Sequence, residues 1–443
     1  MIRSILLSAL LLPSLVFAMT AREIADSYSR YAVDHNAYLR SQRRDIDLAR
    51  TERRSAFGAF LPVVDLTSRH SWADGGRDIT FDVNEFLPSE VLPVDLPPTV
   101  IPFLRTKEQE TKLQVTQPLF TGGGLFYSYR ATQQAEQASR AGYETAVADL
   151  TLHVRQTYYR YLQARELLDI EQHQYDLAEE QLRVTRALYE VDKLAVSELR
   201  RAEAGLYAAE ARRLDAEAQM NTAGQAVNLL LGRALTDDIM LPGASADSLD
   251  ITVPDADALE LRPELAQLDY SIKTLKEQKR AARSGYLPMI SAAFEYGYQG
   301  EKYHFNDDAD YYMLSGVLSW NLFEGFRTNL KQQKVELARR QLEDRRDYLE
   351  SEIQRQVESA ALTLKSKIAE QKAASQAKLA AEESHRLAEI RYREGMSSQL
   401  ELTDARAALA SASAQEVLAR YGCLIALASY EHSLGLSLKD IEQ

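Results

Sequence analysis

Cysteine is nearly missing from this chain: Cys423 is the only one in 443 residues. An internal disulfide is therefore excluded, although the amino terminus reads as an export signal and export normally permits disulfides. No run after the amino terminus approaches the roughly 18 apolar residues that a spanning helix needs, so any place in a membrane has to be taken by strands. Basic charge is not in excess: 52 Lys and Arg stand against 65 Asp and Glu, a net charge of −13 that speaks against a nucleic-acid partner. The charges are interspersed along periodic segments, as on solvated helix faces. The seven histidines (35, 70, 153, 173, 304, 385 and 432) are scattered, and none pairs at a metal-ligand spacing. No nucleophile and base recur in a constellation, so the reading is no enzyme, no metal and no cofactor. Tryptophan is scarce, with only Trp72 and Trp320, and proline is absent between Pro118 and Pro242.

At the amino terminus, Arg3 precedes an apolar run from Ile5 to Val16, and Ala18 closes Val-Phe-Ala. This matches a secretory signal peptide over residues 1–18; the run is too short to anchor comfortably. No cysteine stands just after it, which argues against a lipid anchor at the mature terminus. Cys423 lies on an alanine-rich helix face and is expected to pack in a core.

The proline-free stretch Leu119–Gly232 is written twice. Adding 203 to each number gives Leu322–Gly435 without a gap: Phe120 falls on Phe323, Gly122 on Gly325, Val154 on Val357, Tyr189 on Tyr392, and Leu231-Gly232 on Leu434-Gly435. A register held that long indicates an internal duplication. Within the first copy Val147, Val154, Tyr161, Leu168, Tyr175, Leu182 and Tyr189 recur every seven residues, the mark of a helix seam against another helix. A helix from Leu125 to about Glu190 would be about 100 Å long at 1.5 Å per residue. The pattern breaks at Val191–Val196 and again at Glu394-Gly395-Met396-Ser397-Ser398, where Gly395 fits a helix stop and Ser398 a cap. An alanine-rich return helix follows each break, so the chain holds two antiparallel helical hairpins.

Ahead of each hairpin the period is two. A helical pattern from Thr20 to about Ser55 gives way to Val64, Leu66, Ser68, His70 and Trp72 alternating with polar residues; a proline-rich loop over 73–107 leads to a strand over Lys112–Phe120. The glycines at 122–124 lack the lysine and second glycine of a phosphate loop and read as a strand-to-helix hinge. In the second half a helix over Leu259–Ser284 precedes strands through Ile290–Tyr298 and Leu314–Leu322, with a compact acidic loop between them. Four strands cannot close a membrane barrel, and an open sheet edge cannot sit in hydrocarbon. Several chains must share one barrel; counting alone leaves dimer and trimer open.

In this order and spacing, Leu-Pro-Val-Val (61–64), Leu-Pro-Met-Ile (287–290), Gln-Pro-Leu-Phe-x-Gly-Gly (117–123), Asn-Leu-Phe-Glu-Gly (321–325) and Tyr-Arg-Glu-Gly-Met-Ser-Ser (392–398) resemble the TolC family of outer-membrane efflux and secretion channels. The resemblance covers about Thr20 to Gly435. It implies an α+β membrane protein with an internal two-fold repeat. Its long helical hairpins would build a periplasmic α-barrel, and its four strands would join a shared trimeric 12-stranded outer-membrane β-barrel. The boundaries it implies are a signal peptide at 1–18, a first repeat at 19–237, an equatorial link at 238–258 and a second repeat at 259–443. The implied function is the passive outer-membrane exit duct of a tripartite efflux pump or type I secretion system. Its implied partners are a homotrimer's other copies, a periplasmic adaptor (membrane fusion protein), an inner-membrane transporter of the RND, ABC or MFS class, and outer-membrane lipid.

The family's gate residues carry over one by one. Its acidic rings match Glu401 and Asp404, three apart and so on one helix face. Its latch positions match Tyr392, Gln181 and Glu198, the last with glutamate in place of aspartate. The usual latch arginine, two residues past the tip glycine, is Ser397 here. The tips that meet the adaptor are Asp192, Lys193 and Leu194, then Gly395, Met396, Ser397 and Ser398; Asp192 stands where a glycine is usual. A soluble periplasmic coiled-coil protein whose strand pairs form a small sandwich is the alternative; a pure coiled coil has no use for the two tryptophan-bearing strand pairs. The cargo, whether drug, metal or protein, is not written in these residues.

Overall fold

The computed structural model describes residues 19–74, 77–82, 85, 97–104, 107–242, 261–300, 310–394 and 396–436. The signal-peptide reading of 1–18, the acidic loop after Gly300, Gly395 and the link beyond residue 242 lie outside the described residues. The chain divides into two compact units, a helical one (residues 1–46, 139–268 and 345–443) and a sheet-bearing one (47–138 and 269–344).

Helix α1, Ala21–His35, starts from a capping box in which Thr20 and Glu23 satisfy each other's backbone N–H. The expected single helix to Ser55 is in fact two, because the chain turns at Asn36. Its backbone is extended (ψ 129°), and its Oδ1 accepts from the N–H of Tyr38 at 2.8 Å and of Leu39 at 3.3 Å, starting α2, Ala37–Gly58. The Asn36 amide donates to the Leu230 carbonyl at 2.8 Å. This junction needs Gly232, whose φ is +68° and whose absent Cβ would lie 2.8 Å from the His35 carbonyl oxygen.

Two long hairpins follow: α3, Gly124–Glu190, returns through α4, Val196–Leu231, and α6, Arg327–Arg393, returns through α7, Gln399–Ser433. Between them lies α5, Pro263–Arg283. Both bounds of α3 plus 203 give those of α6, since 124 becomes 327 and 190 becomes 393. The hinge glycines repeat as well: Gly122 and Gly325 both sit at φ +61°, while Gly123 at +80° is matched by Phe326 at +63°. Of the predicted seam, Val154, Tyr161 and Leu182 are buried, Val147, Leu168 and Tyr175 are half-buried, and Tyr189 at its end is exposed.

The helical unit's main core gathers Ile24, Tyr28, Leu39, Val154, Tyr158, Leu162, Leu231 and Tyr421. Tyr158 is fully buried, yet its hydroxyl reaches the Met240 carbonyl at 2.9 Å, and the Met240 N–H donates to the Tyr28 hydroxyl at 2.7 Å. Cys423 is fully buried in a second cluster with Ile353, Leu364 and Leu427, as a core cysteine should be, and burial pushes its thiol pKa up. Through the main core runs an ion-pair chain. Arg155 donates to Asp26 at 2.7 Å and to Glu431 at 2.9 Å, and Arg22 donates to Glu431 at 2.6 Å.

The sheet-bearing unit holds β1 (Val63–Trp72), β4 (Lys107–Phe120), β5 (Met289–Gly300) and β6 (Asp310–Ser319) in the order β1-β4-β5-β6, every pair antiparallel. The region expected to be one long loop over 73–107 instead contains a second ribbon, β2 (Arg77–Phe81) paired with β3 (Thr99–Leu104). Pro102 misled the reading: a proline is tolerated in a two-stranded ribbon, where both strands are edges. Across the main sheet, Leu66, Leu113, Tyr296 and Tyr312 form one straight row and Val64, Val115, Phe294 and Leu314 the next. Leu66 is 74% exposed and Tyr312 80%, so among the described residues these two ends of the row are left uncovered. The opposite face is ionic: Lys112 donates to Glu295 at 3.1 Å, Arg69 pairs with Glu110 at 2.9 Å, and the Tyr311 hydroxyl donates to Glu110 at 3.1 Å. No helix among the described residues is long and apolar enough to cross a membrane.

Candidate functional site: the tips of the helical hairpins

Both hairpins turn by the same backbone device. The Lys193 N–H donates to the Leu188 carbonyl at 2.9 Å, and the Met396 N–H donates to the Arg391 carbonyl at 2.8 Å; each bond spans five residues and closes the last helical turn. A left-handed residue is needed inside such a turn, and in the first tip it is Asp192, at φ +56°. Aspartate tolerates this region better than most side chains, which is how the tip dispenses with glycine.

The restarts differ. Helix α4 begins at Ala195 with no side-chain cap, whereas α7 begins at Ser398, whose hydroxyl accepts from the Glu401 N–H at 3.3 Å. That bond orients the first turn of α7, which carries Glu401; Asp404 follows in the second turn, and both are exposed. Glu401 is held locally: the Ser397 hydroxyl donates to its Oε2 at 2.7 Å, and the Arg391 guanidinium stands 3.7 Å from its Oε1. Carboxylates at a helix start also face the positive end of the helix dipole.

Two of the three latch positions bond within their own helix in the single chain. Gln181 donates to the Thr185 hydroxyl at 3.2 Å, Glu198 accepts from Arg201 at 3.0 Å, and Tyr392 is 40% exposed. Ser397, standing where the family has arginine, holds Glu401 instead. Of the tip residues, Asp192, Lys193, Met396 and Ser398 are exposed, Leu194 and Ser397 are half-buried, and Gly395 lies outside the described residues.

Sequence reasoning missed the apolar side chains at these turns. Val191, Val196, Met396 and Leu400 are 60%, 53%, 68% and 69% exposed, each beside a helix end; Val191, Met396 and Leu400 are off the heptad seam, while Val196 falls seven residues past Tyr189 on it. An apolar residue placed next to a helix stop but out of phase with the seam was the available signal. It also missed Arg391, since nothing in an (i, i+10) spacing announces a contact across a turn. Higher up, Glu166 of α3 is gripped by α7, accepting from the Tyr421 hydroxyl at 2.5 Å and from Arg420.

A family model described as outer membrane efflux protein matches residues 29–233 and 256–436. No curated protein sequence matches the chain. Among solved structures, the CmeC outer membrane channel of Campylobacter jejuni is 17% identical, with a TM-score of 0.76 over 93% of this chain and 86% of that one. The open state of the MtrE outer membrane channel of Neisseria gonorrhoeae is 19% identical, with a TM-score of 0.75 over 94% and 90%. The outer membrane protein VceC of Vibrio cholerae is 14% identical, with a TM-score of 0.70 over 93% and 96%. At such identities the likeness carries the fold.

Proposed function

The chain belongs to the outer membrane efflux protein family, and from that premise we propose that three copies form one duct, with 12 strands in the outer membrane and a tunnel of helical hairpins in the periplasm. The observation that carries this reading is the open four-stranded sheet, with its exposed apolar rows and the free edges of β1 and β6. Each unpaired backbone group left in hydrocarbon costs several kcal/mol, so the edges need strands from further copies. The ionic face formed by Lys112, Glu295, Arg69 and Glu110 then lines the water-filled interior. The duplicated unit supplies the two hairpins and two strand pairs of each copy.

The duct is a passive exit for an efflux pump or a type I secretion system, driven by an inner-membrane transporter of the RND, ABC or MFS class. The exposed apolar residues at the tips give a periplasmic adaptor its docking surface. Three copies of Glu401 and Asp404 place six carboxylates around the periplasmic mouth, where they attract cations and repel one another. Gln181 and Glu198 exchange their bonds within the helix for bonds between hairpins when the mouth is shut, and the exposed Tyr392 joins them there.

The test is fractionation and recording. The protein should sediment with outer membranes as a heat-sensitive oligomer, and E401Q/D404N should change conductance and cation block in planar bilayers. Release by osmotic shock as a monomer refutes the duct; unchanged conductance and block refute the acidic ring. A deletion strain scored for toxin sensitivity and for missing secreted proteins separates the two kinds of cargo.

A further inference from the structure

The two β-hairpins of the main sheet are paired in related registers. Val63 faces Thr116 as Met289 faces Ser319, and Val64 faces Val115 as Ile290 faces Leu318. From the first hairpin to the second, the leading strand gains 226 (63 to 289) and the following strand gains 203 (116 to 319), through all ten pairs. One seam between hairpins exists inside the chain, β4 against β5, where Val115 faces Phe294 and Leu113 faces Tyr296. The edges left over, on β6 and β1, correspond to the two that this seam uses.

We propose that β6 pairs with β1 of a second copy of this chain in the register that the β4–β5 seam already displays. Applying the two offsets sets Leu318 opposite Ser68 of the partner subunit, Gly316 opposite His70 of the partner subunit, and Trp320 opposite Leu66 of the partner subunit. In each pair both residues belong to the apolar face, as the alternation of a strand requires.

The hinge beneath the strands points to the same seam. A Cβ on Gly122 would lie 2.8 Å from the Leu287 Cβ, and one on Gly124 would lie 2.7 Å from the Ser284 hydroxyl, so the internal seam packs hinge backbone against the turn before β5. The counterparts, by the same offsets, are Gly325 for Gly122, Gly58 for Ser284 and Leu61 for Leu287. Gly325 keeps the φ of Gly122, yet neither it nor Gly58 has anything within 4 Å, and Leu61 is 52% exposed. Both halves of a packed hinge are therefore present in one chain, at opposite edges of its sheet.

The inference rests on the shared-barrel reading and adds its register. It is tested with cysteine pairs in the full-length protein in outer membranes, oxidised with copper phenanthroline and resolved on non-reducing gels; Cys423 is fully buried and stays. L318C is combined in turn with S68C, L66C and H70C, and the internal pair V115C/F294C reports whether this class of pair can close. Covalent dimers and trimers should form several-fold more abundantly with S68C than with either alternative. A maximum at L66C or H70C, a slip of two residues, overturns the register while leaving the shared barrel standing. Closure of the internal pair with no covalent oligomer from any of the three overturns both.

Discussion

Arg155 and Glu431 meet at 2.9 Å with both side chains 4% exposed, although 276 residues separate them in sequence. The bond ties α3 to the end of α7, while Arg22 and Asp26 bring α1 to the same knot. Breaking a buried pair by removing one partner costs about 3–5 kcal/mol, because the other charge is left uncompensated. Arg155→Leu should therefore lower the thermal midpoint of the purified protein and expose α1 to protease. Arg22→Leu, which removes the more exposed arginine, should do so by less. Equal, negligible shifts would show that the knot contributes nothing.

Burial raises the Glu431 carboxyl above its ordinary pKa, against the pull of Arg22 and Arg155. In the unfolded chain the group titrates at about 4.3. Between that value and the higher folded one, the folded chain binds more protons. Stability from this group is thus fully present below the unfolded pKa and falls as pH rises through the window. The difference in thermal midpoint between wild type and Glu431→Gln should change across this window and be flat above it. A difference constant through the window would contradict the assignment.

Much of the helical architecture was legible because it is periodic. The seven-residue seam from Val147 to Tyr189 announced α3, and the structure ends it at Glu190. The break at Val191–Val196 was visible because charged and apolar residues lose phase there. What stayed hidden depends on partners far away in sequence. Asn36 interrupts a helix because its side chain finds both a local cap and the Leu230 carbonyl, and only the second of these needs the fold. Arg22, Asp26, Arg155 and Glu431 read as solvated charges, since nothing local distinguishes a buried ion from a surface one. The β2–β3 ribbon was obscured by the prolines around it. At the tips, the family resemblance pointed to Glu401, but the Ser397 hydroxyl and the Arg391 guanidinium that hold it emerge only when the turn is folded.

The left-handed backbone at Asp192 carries a conformational cost that glycine would avoid. Asp192→Gly should raise hydrogen-exchange protection at the Lys193 amide by up to about 1 kcal/mol, offset in part by glycine's freedom in the unfolded chain. Asp192→Val should lower it, since a β-branched side chain fits this region worst. Protection unaffected by valine would mean that the tip rearranges to a different turn.

Gly297 lies under Lys112. A Cβ there would be 2.7 Å from both the Lys112 Cβ and the Thr111 carbonyl oxygen, in the middle of the β4–β5 seam. Overpacking of this kind costs about 1–3 kcal/mol. Gly297→Ala should lower the temperature at which the oligomer dissociates on gels, whereas Gly316→Ala, with nothing within 4 Å in the single chain, should do so by less. The reverse ranking would place the tight point of the sheet elsewhere.

At the second tip, Ser397→Ala and Arg391→Gln each remove a group that offsets the charge of Glu401. Cation block of single channels should deepen severalfold in both variants. Adding Glu401→Gln should cancel the effect, because the deepening acts through that carboxylate. Additive changes in the double variants would assign the effect to another group.

Helix α6 buries three of its 67 side chains: Ile353, Leu364 and Ala388. Leu349, Val357, Ala360, Ala361 and Ile368 add only partial burial beside them, a small withdrawal of apolar surface to set against the entropy of ordering a rod that long. Most of what holds α6 straight in the proposed duct must come from its neighbours in other copies, and the cohesion of one chain then depends on how many others surround it. For such a protein dilution acts as a denaturant, and the step from separate chains to finished tube is the larger part of folding itself.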